Sequence, residues 1–193
     1  MTEELEAEII ESLADKNMPI DEVAKIYYEN REHLKIVGQV AMNLSQKTSV
    51  YNKEVGKSDK MIELLIDLSD SPDMGSRWAV AKNPHTPVEI LEKLAKDDVN
   101  LVRALVCTNP HTPSKTLENF FSDEKIVRDG LSGNPNTSLK LLKILADDKD
   151  KMVRLRLAEN PSATDEILER LLKDSDENVR KASEVHLAKR RES

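Results

Sequence analysis

The sequence predicts an all-α fold, a solenoid of 25–26-residue units in which longer and short helices alternate. Three observations predict it. Arginine recurs at Arg77, Arg103, Arg128, Arg154 and Arg180, in steps of 26, 25, 26 and 26 residues. Asn-Pro follows six residues after each of the first four, at Asn83-Pro84, Asn109-Pro110, Asn134-Pro135 and Asn160-Pro161. Between one Asn-Pro and the next arginine, apolar residues fall in pairs one helical turn apart. A unit this short cannot bury its own apolar side, so a core forms only when several units stack.

The chain opens with an acidic amphipathic helix carrying Leu5, Ile9, Ile10 and Leu13, which suits a polar cap on the open end of a stack. Pro19-Ile20-Asp21-Glu22-Val23 opens a second helix, with Ile26, Tyr27 and Tyr28 behind it. Val37-Gly38-Gln39-Val40-Ala41-Met42-Asn43 then resembles Arg77-Trp78-Ala79-Val80-Ala81-Lys82-Asn83 in its small and apolar pattern, so residues 19–43 read as a drifted repeat. Leu44 to Lys57 reads as an insertion or loosely helical linker. The expected organisation is an irregular helical cap over 1–56 and the repeat solenoid over 57–193, within one continuous superhelix.

Within each clear unit the longer helix is expected just after Asn-Pro. His85-Thr86-Pro87-Val88-Glu89 offers Thr86 as N-cap, Pro87 at the first helical position and Glu89 to close a capping box. Thr112-Pro113 repeats the first two signals, Thr137 the cap alone, and the fourth unit has Ser162 or Thr164 for it. The helix interior reads Ile90, Leu91, Leu94, Ala95; Thr116, Leu117, Phe120, Phe121; Leu141, Leu142, Leu145, Ala146; and Ile167, Leu168, Leu171, Leu172. That spacing makes one continuous apolar stripe, and both phenylalanines are expected in the core. The columns continue upstream as Leu64, Leu65, Leu68 and Ser69, a degenerate unit. Two residues past each stripe stand Ser71, Asp97, Asp123, Asp148 and Asp174, marking a turn that caps the next helix or pairs with a repeated arginine.

The arginine-led helix is expected to be barely two turns long and to end at proline, which pushes the residue before it out of the helical region. Its central column reads Val80, Val106, Leu131 and Leu157, and the next Ala81, Cys107, Ser132 and Ala158. Small side chains there imply close helix approach, with Cys107 a buried filler.

Composition narrows the chemistry. The 193 residues carry 34% charged side chains, a net charge of −7, one cysteine, five glycines and one tryptophan. A lone cysteine excludes an internal disulfide and an all-cysteine metal site within one chain. No Gly-rich phosphate loop, nucleophile elbow or HExxH helix is present, so no enzyme activity is expected. The aligned His85 and His111 stand on neighbouring units about 10 Å apart, too far to share a zinc at about 2 Å, and no metal is expected. There is no apolar run of membrane-spanning length and no basic-then-apolar leader, from which a cytoplasmic protein without a membrane partner is expected.

The motif Val-Arg-x-x-Val-x-x-Asn-Pro-x-Thr-Pro, followed by a leucine helix and an Asp-rich turn, resembles the leucine-rich repeat variant family and is similar to HEAT-type helical repeats. The likeness covers residues 58–186 and is strongest at Val102-Arg103, Val127-Arg128, Val153-Arg154 and the four Asn-Pro pairs. It implies a right-handed superhelix in which the arginine-led segments are three-ten in places. Members of that family can carry an N-terminal cysteine cluster that binds an iron–sulfur centre. No cysteine precedes Cys107, so neither that cluster nor any other cofactor is expected.

Two readings of function follow. The first is a non-catalytic scaffold that binds a protein or peptide along one solenoid face. Its candidate contacts are Trp78, in a column that continues Ala104, Asp129, Leu155 and Lys181, with Leu155 and a polar row of Arg77, Arg103, Arg128 and Arg154. Trp78 is either such an anchor or the cover over the seam with the N-terminal segment, and Arg156 either snorkels at an edge or joins Arg154 in a basic patch. The second is a HEAT-like nucleic-acid module using the arginines and the basic end Lys189-Arg190-Arg191. Against it, Asn83, Asn109, Asn134 and Asn160 with Asp97, Asp123, Asp148 and Asp174 have the spacing of a structural ladder. In that ladder the arginines tie one unit to the next.

Overall fold

The structure, a computed structural model, describes residues 1–47 and 53–192, with the backbone alone at 53 and 54. Every described element is helical, and helices pack on their sequence neighbours in the manner of a helical repeat. Contacts divide the chain into two compact units, Met1–Val102 and Arg103–Ser193. The boundary falls inside helix α8 (Asn100–Thr108).

The first unit holds α1 (Glu3–Leu13), α2 (Ile20–Glu29), α3 (Leu34–Gln46), α4 (Lys53–Gly56), α5 (Asp59–Leu68), α6 (Met74–Lys82) and α7 (Val88–Leu94). The Thr2 hydroxyl accepts from the Leu5 N–H and three glutamates sit in the first turn, so α1 starts with both a cap and a favourable charge–dipole arrangement. Ser58 caps α5 through the Met61 N–H, and Asp73 caps α6 through the Ser76 N–H at 2.7 Å. Helix α1 packs on α3, α3 on α6, and α2 on both α3 and α5. Leu13, Ile36, Val40, Leu44, Leu64 and Leu65 are buried in this unit, so the apolar stripes meet inside it. Of the stretch Leu44 to Lys57, the first three residues complete α3 and residues 53–56 form α4, while 48–52 lie outside the described residues.

The second unit holds α9 (Ser114–Leu117), a three-ten turn (Glu118–Phe120), α10 (Lys125–Gly133), α11 (Leu139–Leu145), α12 (Lys151–Ala158), α13 (Asp165–Leu171) and α14 (Glu177–Glu192). Here α10 packs on α12 and α12 on α14, with α11 and α13 alongside. Leu117, Phe120, Leu131, Leu142, Leu157 and Leu168 are buried. Gly130 is where α10 comes closest to the preceding helix: a Cβ there would stand 2.9 Å from both the Ala104 carbonyl oxygen and the Cys107 Cβ.

The structure corrects several local expectations. The arginine-led segments are α-helical, not three-ten. Arg77, Arg128 and Arg154 donate their N–H groups four residues back, to Asp73, Glu124 and Asp150. The length relation is also reversed. Helices α6 and α10 span nine residues and α12 eight, whereas α7, α11 and α13 span seven each. The threonines explain part of this. Thr86, Thr112 and Thr137 do not cap the helix that follows; their hydroxyls donate back to the carbonyls of Val80, Val106 and Leu131 at 2.6–2.7 Å. They satisfy orphan carbonyls at the end of the arginine-led helix. Pro87, Pro113 and Ser138 then take the cap position without a side-chain bond, and only Thr164 caps as expected, through the Ile167 N–H.

Phe120 is buried but Phe121 is 50% exposed. Phe120, three after Leu117, holds the place that the buried Leu94, Leu145 and Leu171 hold in their units, while Phe121 shares the column of the exposed Leu172 at the outer edge of the stripe.

Candidate interaction faces and the ladders beneath them

Each arginine holds two turns together. Arg77, Arg103, Arg128 and Arg154 each donate Nε and Nη2 to the two carboxylate oxygens of Asp97, Asp123, Asp148 and Asp174, twenty residues on, at 2.6–3.2 Å. The Nη1 group reaches backward: Arg77 to the Ser71 carbonyl, Arg128 to that of Asp123, Arg154 to that of Asp148. Each aspartate also accepts a backbone N–H in its own turn, from Val99, Glu124, Asp150 and Asp176 respectively. Arg180 repeats the backward half, donating to the Asp174 and Ser175 carbonyls.

These pairs are shielded. The guanidinium side chains are 12–18% exposed and their carboxylates 5–16%. The Arg103 and Arg154 hydrogen bonds hold Asp123 and Asp174 below the ordinary carboxylate range, against burial, which alone would raise them. Burial is the largest influence on Asp148 and pushes it up, but the Arg128 bonds and the turn N–H together carry it below the usual value. The arginines' bidentate edges are thus spent within the fold.

The asparagines form a second ladder. Asn134 donates Nδ2 to the carbonyls of Cys107 and Asn109 at 2.6 and 2.9 Å, and Asn160 to those of Ser132 and Asn134 at 2.8 and 3.0 Å. The side-chain oxygens of Asn83, Asn109, Asn134 and Asn160 accept the N–H two residues on. Asn43, in the drifted repeat, makes the same rung to Leu13 and Asp15 at 2.7 and 2.9 Å. The end of α1 therefore stands where the end of an arginine-led helix stands elsewhere. His186 keeps half a rung, with Nδ1 2.8 Å from the Ala158 carbonyl.

Beside each rung runs another that the sequence alone does not reveal. Asn136 donates to the Pro110 and Thr112 carbonyls, and Ser162 to that of Pro135. Lys47 does the same for Lys16 and Met18, and Arg190 for Pro161. Where Asn-Pro breaks the helix, the residue two positions on supplies the donor. Where the helix continues, as after Asn43 and His186, the residue one turn on does so. Lys47 is buried, and burial lowers its pKa.

Cys107 is fully buried, and burial raises its thiol pKa far above the ordinary range, which leaves it inert at neutral pH. No cluster of three or more metal-ligating side chains occurs among the described residues. No helix among them is long and apolar enough to cross a membrane.

The polar ladders leave one apolar face in the first unit. Helix α3 packs on α6, and aligning Asn43 with Asn83 puts Leu34, Gly38 and Met42 of one helix in the columns of Met74, Trp78 and Lys82 of the other. Leu34 is 51% exposed, Met42 46% and Met74 39%. Trp78 is half-buried, with the Lys82 ammonium 5.0 Å from its ring centroid. A Cβ on Gly38 would meet only the Asp73 Oδ2, at 3.8 Å, so packing does not demand glycine there. In the second unit Leu155 is half-buried and Arg156 reaches Asp129 and Glu159 at 3.9 and 3.8 Å, so Arg156 lies in an acidic setting and not in a basic patch.

The first unit also carries an aromatic–ionic cluster outside the repeat pattern. Arg31 stacks over Tyr27 and Tyr28 and pairs with Asp67, and the Tyr28 hydroxyl donates to Glu63. Burial, then the Glu63 bond, pushes the Tyr28 pKa up to about 12. These contacts tie α2 to α5.

Compared with protein-family models and with curated proteins, the chain matches none.

Proposed function

We propose that this protein is a non-catalytic helical-repeat scaffold, a right-handed solenoid of the leucine-rich repeat variant kind, that binds a protein or peptide on the α3–α6 face. The observation that carries the reading is the exposure of Leu34, Met42 and Met74 around the half-buried Trp78, in matching columns of two adjacent helices. Large apolar side chains clustered on one face, with an aromatic at the centre, are the usual makings of a binding hot spot. Gly38 supports it. A mid-helix glycine costs about 0.5–1 kcal/mol relative to alanine, and here open space beside it leaves room for a partner's backbone to approach Trp78.

The repeated arginines act in this reading as structure and not as partner contacts. The nucleic-acid alternative drew on the same guanidiniums, whose bidentate edges already hold aspartates.

Trp78 is the only tryptophan, so its fluorescence reports on this face alone. Partners captured from the native host by immobilised protein should be lost with Trp78→Ala and with Met42→Asp while far-UV circular dichroism stays unchanged. Capture that survives both substitutions refutes the face. Retention of DNA or RNA near physiological salt, falling steeply as salt rises, would favour the nucleic-acid reading instead.

A further inference from the structure

We propose that the groove between the end of α12 and the distal half of α14 binds an acidic peptide through one bulky apolar side chain. This rests on the scaffold reading but uses a different surface from Trp78.

The groove exists because α14 does not stop where its counterparts stop. Leu187 stands where the four preceding units have proline, and α14 runs on for sixteen residues, to Glu192. Helix α12 ends at Ala158 and its chain turns away at Pro161, leaving a cleft of about 450 Å³ beneath the continuing helix. Its floor is Ala158, Pro161, Ala182 and Val185.

One unit earlier, the chain itself fills the corresponding place. The stem of Arg156 lies over Gly133, where a Cβ would stand 2.8 Å from its Cγ and Cδ, and the guanidinium faces Asp129 and Glu159. Between α12 and α14 all three of those roles change. Ala182 stands in the column of Arg156, Leu155 in that of Asp129, and Val185, 52% exposed, in that of Glu159. The filling side chain is missing, and the acids that received its charge are replaced by apolar residues. What fits is an uncharged, bulky side chain, and the volume is within the range of specific ligand sites.

The rim selects what flanks that side chain. Lys181 and Lys189 line the groove mouth, and the last turn of α14 adds Arg191, while Arg190 is held by Asp165 and the Pro161 carbonyl. Glu159, the acid on the lining, faces Arg156, and the Glu177 partner of Lys181 is a solvent-exposed pair that salt screens. His186 is fixed against the Ala158 carbonyl and forms a wall. Carboxylates beside the apolar side chain would meet the lysines, and this complementarity steers acidic sequences toward the site.

The test uses the full chain and three fluorescent dodecapeptides: leucine and phenylalanine flanked by glutamates, the same apolar residues flanked by lysines, and the glutamate peptide with glycine for the apolar residues. The first should bind and shift the Ala182 and Val185 methyl resonances, at least tenfold tighter than the other two. Ala182→Arg, which restores the filling seen at Arg156, should weaken it about tenfold or more. Lys181→Glu with Lys189→Glu should do the same and raise affinity for the lysine peptide. Trp78→Ala should leave all of this unchanged. Equal binding of the three peptides, absent methyl shifts, or an Ala182→Arg protein that folds and binds as before would overturn the groove while leaving the Trp78 face standing. So would concentration-dependent dimerisation abolished by Ala182→Arg, which would assign the groove to a second copy of the chain.

Discussion

Arg128 and Asp148 meet through two parallel hydrogen bonds, Nε to Oδ2 at 2.6 Å and Nη2 to Oδ1 at 3.1 Å, while Arg128 Nη1 donates to the Asp123 carbonyl at 2.8 Å. The same Asp148 offers its backbone carbonyl to Arg154. Side chain and backbone of Asp123, Asp148 and Asp174 thus each serve two successive arginines, and the ladder is continuous from Arg103 to Arg180. Lysine cannot reproduce this, because an ammonium has no planar fork. Arg128→Lys should cost about 2–3 kcal/mol in the second unit, since a shielded carboxylate loses a bidentate partner. Urea unfolding followed by circular dichroism measures it, and a change under about 0.5 kcal/mol would mean that the pair behaves like a surface ion pair.

Acid should dismantle the ladder. Asp123 and Asp174, held low by their arginines, and Asp148, held low despite its burial, all titrate below the ordinary value of 3.8. A carboxyl depressed in the folded state lends stability that is complete above its unfolded pKa and is lost as pH falls through the folded one. These three groups should therefore leave stability unchanged down to about pH 5 and lower it steeply below about pH 4. Urea midpoints across pH 2.5–6 give the slope, and Asp148→Asn should remove up to about 1.4 kcal/mol per pH unit of it.

Much of this was legible in the sequence because ladder residues must recur: a side chain that bonds the neighbouring unit has to reappear at the unit length. The arginine, asparagine and aspartate columns carry that signature. The rung made by Lys47, Asn136, Ser162 and Arg190 does not, since four different side chains perform it at two different offsets and no column exists to find. The helix starts differ from the expectation because threonine before proline reads as a cap, whereas Thr86 and Thr112 bond backward to carbonyls that the sequence cannot display. The apolar stripe places Phe121 in the core by its column, but that column is the outer edge of the stripe, held by Ala95 and Ala146 in two units and by the exposed Leu172 in another. Trp78 stands out in the sequence as the exception in its column, whereas the exposure of Leu34 and Met42 on α3, packed against α6, shows only in the structure.

The asparagine rungs should differ in worth. Removing Asn134 leaves the Cys107 and Asn109 carbonyls without its amide and the Asn136 N–H without its acceptor, at about 2–4 kcal/mol for Asn134→Ala. Asn43 makes the same two donor bonds, but its buried Oδ1 accepts nothing, because α3 continues to Gln46 where the other units turn. Asn43→Ala also removes that unsatisfied acceptor, so it should cost about half as much. Thermal midpoints of the two variants rank them, and an Asn43→Ala loss equal to or above that of Asn134→Ala would contradict the account.

Three helical glycines predict three different outcomes for alanine. At Gly130 the new Cβ would meet the Ala104 carbonyl oxygen and Cys107 Cβ at 2.9 Å, backbone and buried side chain that cannot give way, so the variant should lose about 1–3 kcal/mol. At Gly133 the obstacle is the Arg156 stem, half-exposed and flexible, and the clash should roughly cancel the helix-propensity gain of about 0.5–1 kcal/mol. At Gly38 nothing lies closer than 3.8 Å, and alanine should stabilise by that same 0.5–1 kcal/mol. The Gly38→Ala protein should nonetheless capture less partner on the Trp78 face, because the methyl fills the approach beside the indole. Urea titrations and the capture assay together decide it: a variant more stable and equally competent would show that the glycine serves neither packing nor recognition.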